Sequence, residues 1–132
     1  MVEPSRGSIL VVEDDRAIQD AVQDLLREEG YAVIGVTTGQ DTLVAVQRRL
    51  VRTDLVYLDV WMEEPDSGWR VLKALQADPV TACIPVIVTS AHEVMLTEIL
   101  PNFPQPHYRF LKKPYDLSTL LGTIRELLDG AP

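Results

Sequence analysis

Apolar residues recur along this chain in two alternating rhythms. Short unbroken runs, Ile9-Leu10-Val11-Val12, Leu55-Val56-Tyr57-Leu58, Pro85-Val86-Ile87-Val88 and Tyr108-Arg109-Phe110-Leu111, are separated by stretches with helical spacing. A run that is apolar without alternation predicts a strand covered on both faces. Between them, Ile18, Val22, Leu25 and Leu26 predict a first helix that Gly30 stops, followed by a β-branched run from Tyr31 to Val36. Thr38 and Asp41 open a second helix carrying Leu43, Val46 and Leu50, and Asp54–Leu58 forms the third strand. Residues 63–68 read as a turn, and Val71, Leu72 and Leu75 as the buried stripe of a third helix ended before Pro79. A short fourth helix is predicted over His92–Leu100, after which Pro101, Pro104 and Pro106 forbid helix. Asp116 opens a last helix with Leu117, Leu120, Leu121, Ile124, Leu127 and Leu128 on one side, stopped near Gly130.

Five strands alternating with five helices predict an α/β fold: a doubly wound, flavodoxin-like parallel sheet of order 2-1-3-4-5 with helices on both faces. Its topological switch point falls between strands one and three, beyond whose carboxyl ends ligands bind in such sheets. Residues 1–7 read as a flexible leader, 8–129 as a single domain and 130–132 as a tail. The 132 residues suit one domain with a real core. A net charge of −8 argues against direct nucleic-acid binding, and no apolar stretch is long enough to span a membrane. The single Cys83 fits a cytoplasmic setting and a packing or loop role.

The polar residues that close the apolar runs change the picture most. Glu13 and Asp14 follow the first run, Asp59 the third, Thr89 and Ser90 the fourth, and Lys113 with Pro114 the fifth. In one parallel sheet they all surface at the same edge. Asp15 suits the cap of the first helix, Lys112 reads as a solvated charge and His107 as a surface loop residue.

With ILVVEDD, DLVYLD, PVIVTSA and FLKKP in order, residues 8 to about 128 resemble the receiver domain of two-component response regulators, in the single-domain, chemotaxis-regulator-like form. The resemblance implies a signalling phosphoacceptor rather than an enzyme in the ordinary sense. Asp59 would take a phosphoryl group from a phosphohistidine of a sensor histidine kinase or phosphotransfer protein. Mg²⁺ (or Mn²⁺) would be held by Asp14, Asp59, Glu13 and the backbone carbonyl of Trp61. Lys113 and Ser90 would contact the phosphoryl group, Ser90 and Phe110 would carry the switch to an unknown downstream protein, and Trp61 and His92 would tune the lifetime.

The chain departs from the family's usual pattern in the loop Trp61–Gly68, where the proline is displaced, and in the proline-rich segment before strand five. Among other functions, a dehalogenase-type phosphatase wants a second Asp where Trp61 stands, and the acidic first loop would repel a flavin phosphate. A docking-only pseudo-receiver, or the input half of a truncated transcription regulator, are the alternatives.

Overall fold

The computed structural model describes residues 6–47, 52–59, 67–91 and 107–129, with backbone alone at 46–47 and 67–69. The elements run β1 (Ser8–Val12), α1 (Arg16–Glu28), β2 (Ala32–Val36), α2 (Gly39–Gln47), β3 (Leu55–Asp59), α3 (Ser67–Ala77), β4 (Val86–Ser90), β5 (Tyr108–Lys112) and α4 (Leu117–Asp129). All strand pairings are parallel, in the expected order β2-β1-β3-β4-β5. The helix expected over His92–Leu100, the leader up to residue 5 and the tail lie outside the described residues.

Because successive strand side chains point to opposite faces, the apolar runs build two cores at once. Leu10, Val12, Val56, Leu58, Val86, Val88 and Tyr108 meet Val71, Leu72 and Leu75 of α3, with Leu43 of α2 packed alongside. Ile9, Val11, Leu55, Tyr57, Ile87 and Leu111 meet Val22 and Leu26 of α1 and Leu120 and Ile124 of α4. Helices therefore cover both faces, and β3 and β4 are buried along their whole length.

The helix starts and stops follow local chemistry. The Asp15 carboxylate caps α1 by accepting from the Ile18 amide at 3.1 Å, and the Thr38 hydroxyl caps α2 by accepting from the Asp41 amide at 3.0 Å. Gly30, at φ 97°, turns the chain out of α1 in a conformation that glycine adopts without a Cβ penalty. Two positions differ from the expected stripes. Ile18 is 38% exposed, while Gln19 takes a buried place beside Val22 and Leu26. Leu117, at the start of α4, is also exposed. His107 is half-buried rather than a free loop residue, because its Nε2 bonds the Ala82 carbonyl oxygen at 2.7 Å.

Candidate functional site

The register of the sheet sets the site. Val12 pairs with Leu58, so the residues one step further on, Glu13 and Asp59, emerge side by side at the carboxyl ends of β1 and β3. Asp59 in turn pairs with Thr89, and Ser90 with Lys112, which brings the end of β4 and the turn carrying Lys113 to the same edge. The Lys113 amide donates to the Ser90 carbonyl at 2.9 Å. Carboxylate oxygens of Glu13, Asp14 and Asp59 lie within 4.8 Å of one another. Asp14 is exposed, while Glu13 and Asp59 are buried.

Lys113 reaches over this cluster. Its Nζ donates to Glu13 Oε2 at 3.1 Å and to Asp59 Oδ2 at 3.3 Å. Among the described residues, the Lys113 ammonium and the three carboxylates sum to a formal charge of −2. The electrostatic strain shows at Glu13. Burial, and then the neighbouring Asp59 charge, push its carboxyl from an ordinary 4.5 up to about 7, although the Lys113 ammonium pulls the other way. Burial works against the Lys113 ammonium, but the Asp59 and Glu13 carboxylates outweigh it and hold its pKa above the ordinary value.

The donor set consists of oxygen, as a hard divalent cation requires, and it is too negative for one lysine to neutralise. The residues present therefore fit Mg²⁺. Trp61 and His92, expected beside the cluster, lie outside the described residues. Ser90 is fully buried at the strand end, as is Thr89, whose hydroxyl donates to the Leu58 carbonyl oxygen at 3.4 Å. Phe110 is 41% exposed, so it is not the core packing residue that an apolar run would make it. It shares the β5 face of buried Tyr108 by strand alternation. Lys112 is exposed on β5, which leaves Lys113 as the lysine of the pocket.

Two groups near the cluster escaped the sequence reading. Gln19 sends its side-chain amide to the main chain behind Glu13, with Nε2 3.2 Å from the Glu13 carbonyl oxygen and 2.8 Å from that of Val36. Tyr57, two residues before Asp59, shares a hydroxyl–hydroxyl hydrogen bond with Tyr115, two residues after Lys113, and their rings meet edge to face. Burial raises the pKa of both phenols, so both stay neutral. The signal available beforehand was polarity in an apolar place: Gln19 lies at i−3 and i−7 from Val22 and Leu26, and Tyr57 interrupts an aliphatic run. A cavity of about 270 Å³ lies away from all of this, at the amino ends of the strands, lined by Ser8, Leu10, Ile34 and Arg52 among others.

Comparison with known proteins agrees with this fold. The transcriptional regulatory protein YbdJ of Bacillus subtilis is 35% identical over 121 residues, which cover 92% of this chain and 50% of that protein. The chain thus spans about half the length of this and several other regulators that it matches. The receiver domain of a signal transduction histidine kinase from Syntrophus aciditrophicus superposes with a TM-score of 0.80 at 28% identity, covering 95% of this chain and 92% of that one. The receiver domain of the Pseudomonas aeruginosa sensor histidine kinase PA1611, solved with a magnesium ion in its active-site cleft, shares the fold with a TM-score of 0.78 at 22% identity, covering 93% and 98%. The family model for the response regulator receiver domain matches residues 9–125, and the chain belongs to that family.

Proposed function

We propose that this receiver domain accepts a phosphoryl group on Asp59 from the phosphohistidine of a sensor histidine kinase or phosphotransfer protein, with Mg²⁺ as the required cation. The observation that carries this reading is the cluster of three carboxylates from β1 and β3 crossed by the Lys113 ammonium from the end of β5. The Mg²⁺ held in the relative from Pseudomonas aeruginosa supports the choice of ion.

A carboxylate needs no deprotonation to attack, so the residues around Asp59 have a different task. They must let a phosphoryl dianion approach a pocket that is already negative. An Asp59 oxygen attacks phosphorus, the phosphorus–nitrogen bond to the imidazole breaks, and its electron pair returns to the ring. Lys113 already touches Asp59, and its ammonium is placed to follow the charge onto a phosphoryl oxygen. A divalent cation would supply the remaining positive charge; Asp14, Asp59 and the main-chain carbonyl of Trp61 would hold it, with Glu13 acting directly or through water. The Ser90 hydroxyl, one residue beyond the partner of Asp59 in β4, takes a further phosphoryl oxygen. Its movement is the start of a population shift toward Phe110, the exposed aromatic on the neighbouring strand.

The experiment is to incubate the protein with Mg²⁺ and a small phosphodonor and follow its intact mass. An acid-stable, base-labile gain of one phosphoryl group is expected, absent in Asp59→Asn and absent with chelator. No gain in the native chain would favour a docking-only module. A gain that persists in Asp59→Asn would move the acceptor elsewhere.

A further inference from the structure

We infer that Gln19 is a positioning residue of the carboxylate pocket, acting through the main chain of Glu13; the inference rests on the Mg²⁺ site proposed above. Gln19 sits in α1 on the stripe that Val22 and Leu26 bury, and is itself 4% exposed. Burying an amide is unfavourable unless its hydrogens find acceptors. Both hydrogens of Nε2 do so, on the carbonyl oxygens of Glu13 and Val36. The Val36 carbonyl also accepts from the Glu13 amide at 3.1 Å. Gln19, Glu13 and Val36 therefore form a closed set of bonds that ties the first residue past β1 to the end of β2. Asp14, the next residue, leaves from that fixed point.

An independent observation comes from β2. A Cβ added at Gly35 would lie 2.8 Å from Gln19 Cδ, 3.0 Å from its Oε1 and 2.1 Å from Gln23 Nε2. Gly35 has no left-handed φ that would demand glycine, so what the position provides is room. The strand is hollowed where the α1 glutamines lie. Gln23 uses its own side chain differently, accepting from the Arg27 guanidinium at 2.9 Å. Gln19 thus presets the backbone that aims Glu13 and Asp14, so that the carboxylates need not be ordered when a cation arrives.

The test compares native protein, Gln19→Met, Gly35→Ala and Gln23→Met at a temperature where all are folded. Gln19→Met keeps length and volume but has no donors. Titration with MgCl₂ by calorimetry should show about 10-fold weaker binding in Gln19→Met, the usual size of losing a group that orients a metal ligand. Gly35→Ala, whose Cβ would press on the Gln23 amide first and on the Gln19 amide next, should weaken binding in the same direction, and Gln23→Met, which separates the two, should match the native chain. In chelator, exchange of the Glu13 amide hydrogen by NMR should accelerate in Gln19→Met. Unchanged affinity and exchange in Gln19→Met overturn the inference, as does equal weakening in Gln23→Met, which would mean general loosening of α1. If Gln19→Met does not fold, Gly35→Ala decides by the same two readouts. If the native chain binds no Mg²⁺, the proposed site itself fails, while the exchange measurement still tests the hold of Gln19 on the turn.

Discussion

Replacing Glu13 by glutamine should make the metal-free protein more stable, and the gain should depend on pH. Glu13 is almost wholly buried beside Asp59, and its carboxyl is raised from 4.5 to about 7 even with Lys113 bonded to it. A carboxyl raised on folding binds its proton more tightly in the native state than in the unfolded chain. Between pH 4.5 and about 7 the native state therefore holds the extra proton, and stability falls as pH rises through that window. Above it both states are ionised and the whole penalty is present. At ~1.4 kcal/mol per pH unit it amounts to about 3 kcal/mol at pH 8 and about 1 kcal/mol at pH 5. Glutamine mimics the protonated form and escapes the penalty, at roughly the same volume. The effect of Lys113 is already contained in the net shift, so it is not subtracted again. Urea denaturation of both proteins in chelator, at pH 8 and pH 5, measures the difference directly. A rise of roughly 10 °C in Tm at pH 8 is the thermal equivalent. A variant less stable than native at pH 8, or a gain of the same size at both pH values, would refute the electrostatic account of the pocket.

Lys113→Met should act in the opposite direction. It leaves buried Glu13 and Asp59 facing one another without the Lys113 charge, and should cost about 2–3 kcal/mol in chelator at pH 8, read by the same urea titration. Asp14→Ala should keep or raise the metal-free Tm, because Asp14 adds negative charge to the cluster; a clear drop in scanning calorimetry would assign it a structural role instead. Tyr57→Phe and Tyr115→Phe should each cost about 1–2 kcal/mol by removing the partner that the two hydroxyls are to each other, and the double variant should cost less than the two together. Strict additivity in that cycle would show that the two phenols do not act as a pair.

The strands and their order were legible because β1, β3, β4 and β5 are written as apolar runs that end in polar residues. Parallel strands buried on both faces leave little else possible. Glu13, Asp14, Asp59 and Lys113 were legible for the same reason: a charge directly after such a run has to surface at the sheet edge. Helix surfaces were less so. Ile18 and Gln19 are neighbours on α1, and hydropathy favours burying the isoleucine. Two main-chain carbonyls at the ends of β1 and β2 reverse that choice, since the glutamine offers them donors and the isoleucine offers none. Those carbonyls belong to the backbone, so no side-chain pattern announces them. The Tyr57–Tyr115 bond was hidden because it joins residues 58 apart in sequence, each of which alone reads as ordinary core. Phe110 was ambiguous in an apolar run, and its exposure depends on what packs over that end of the sheet.

The bonds from Lys113 to Glu13 and Asp59 span 100 and 54 residues of chain. Contacts of that separation carry the largest loop-closure entropy and form only when the elements between them are in place. β5 is one edge of the sheet and follows its other four strands in the chain, so the lysine joins the acids only once that edge has docked. A chain still emerging, or one whose last strand has detached, holds the acids without their counter-charge. On the function proposed above, competence to take a phosphoryl group on Asp59 would double as a report that the whole domain has folded.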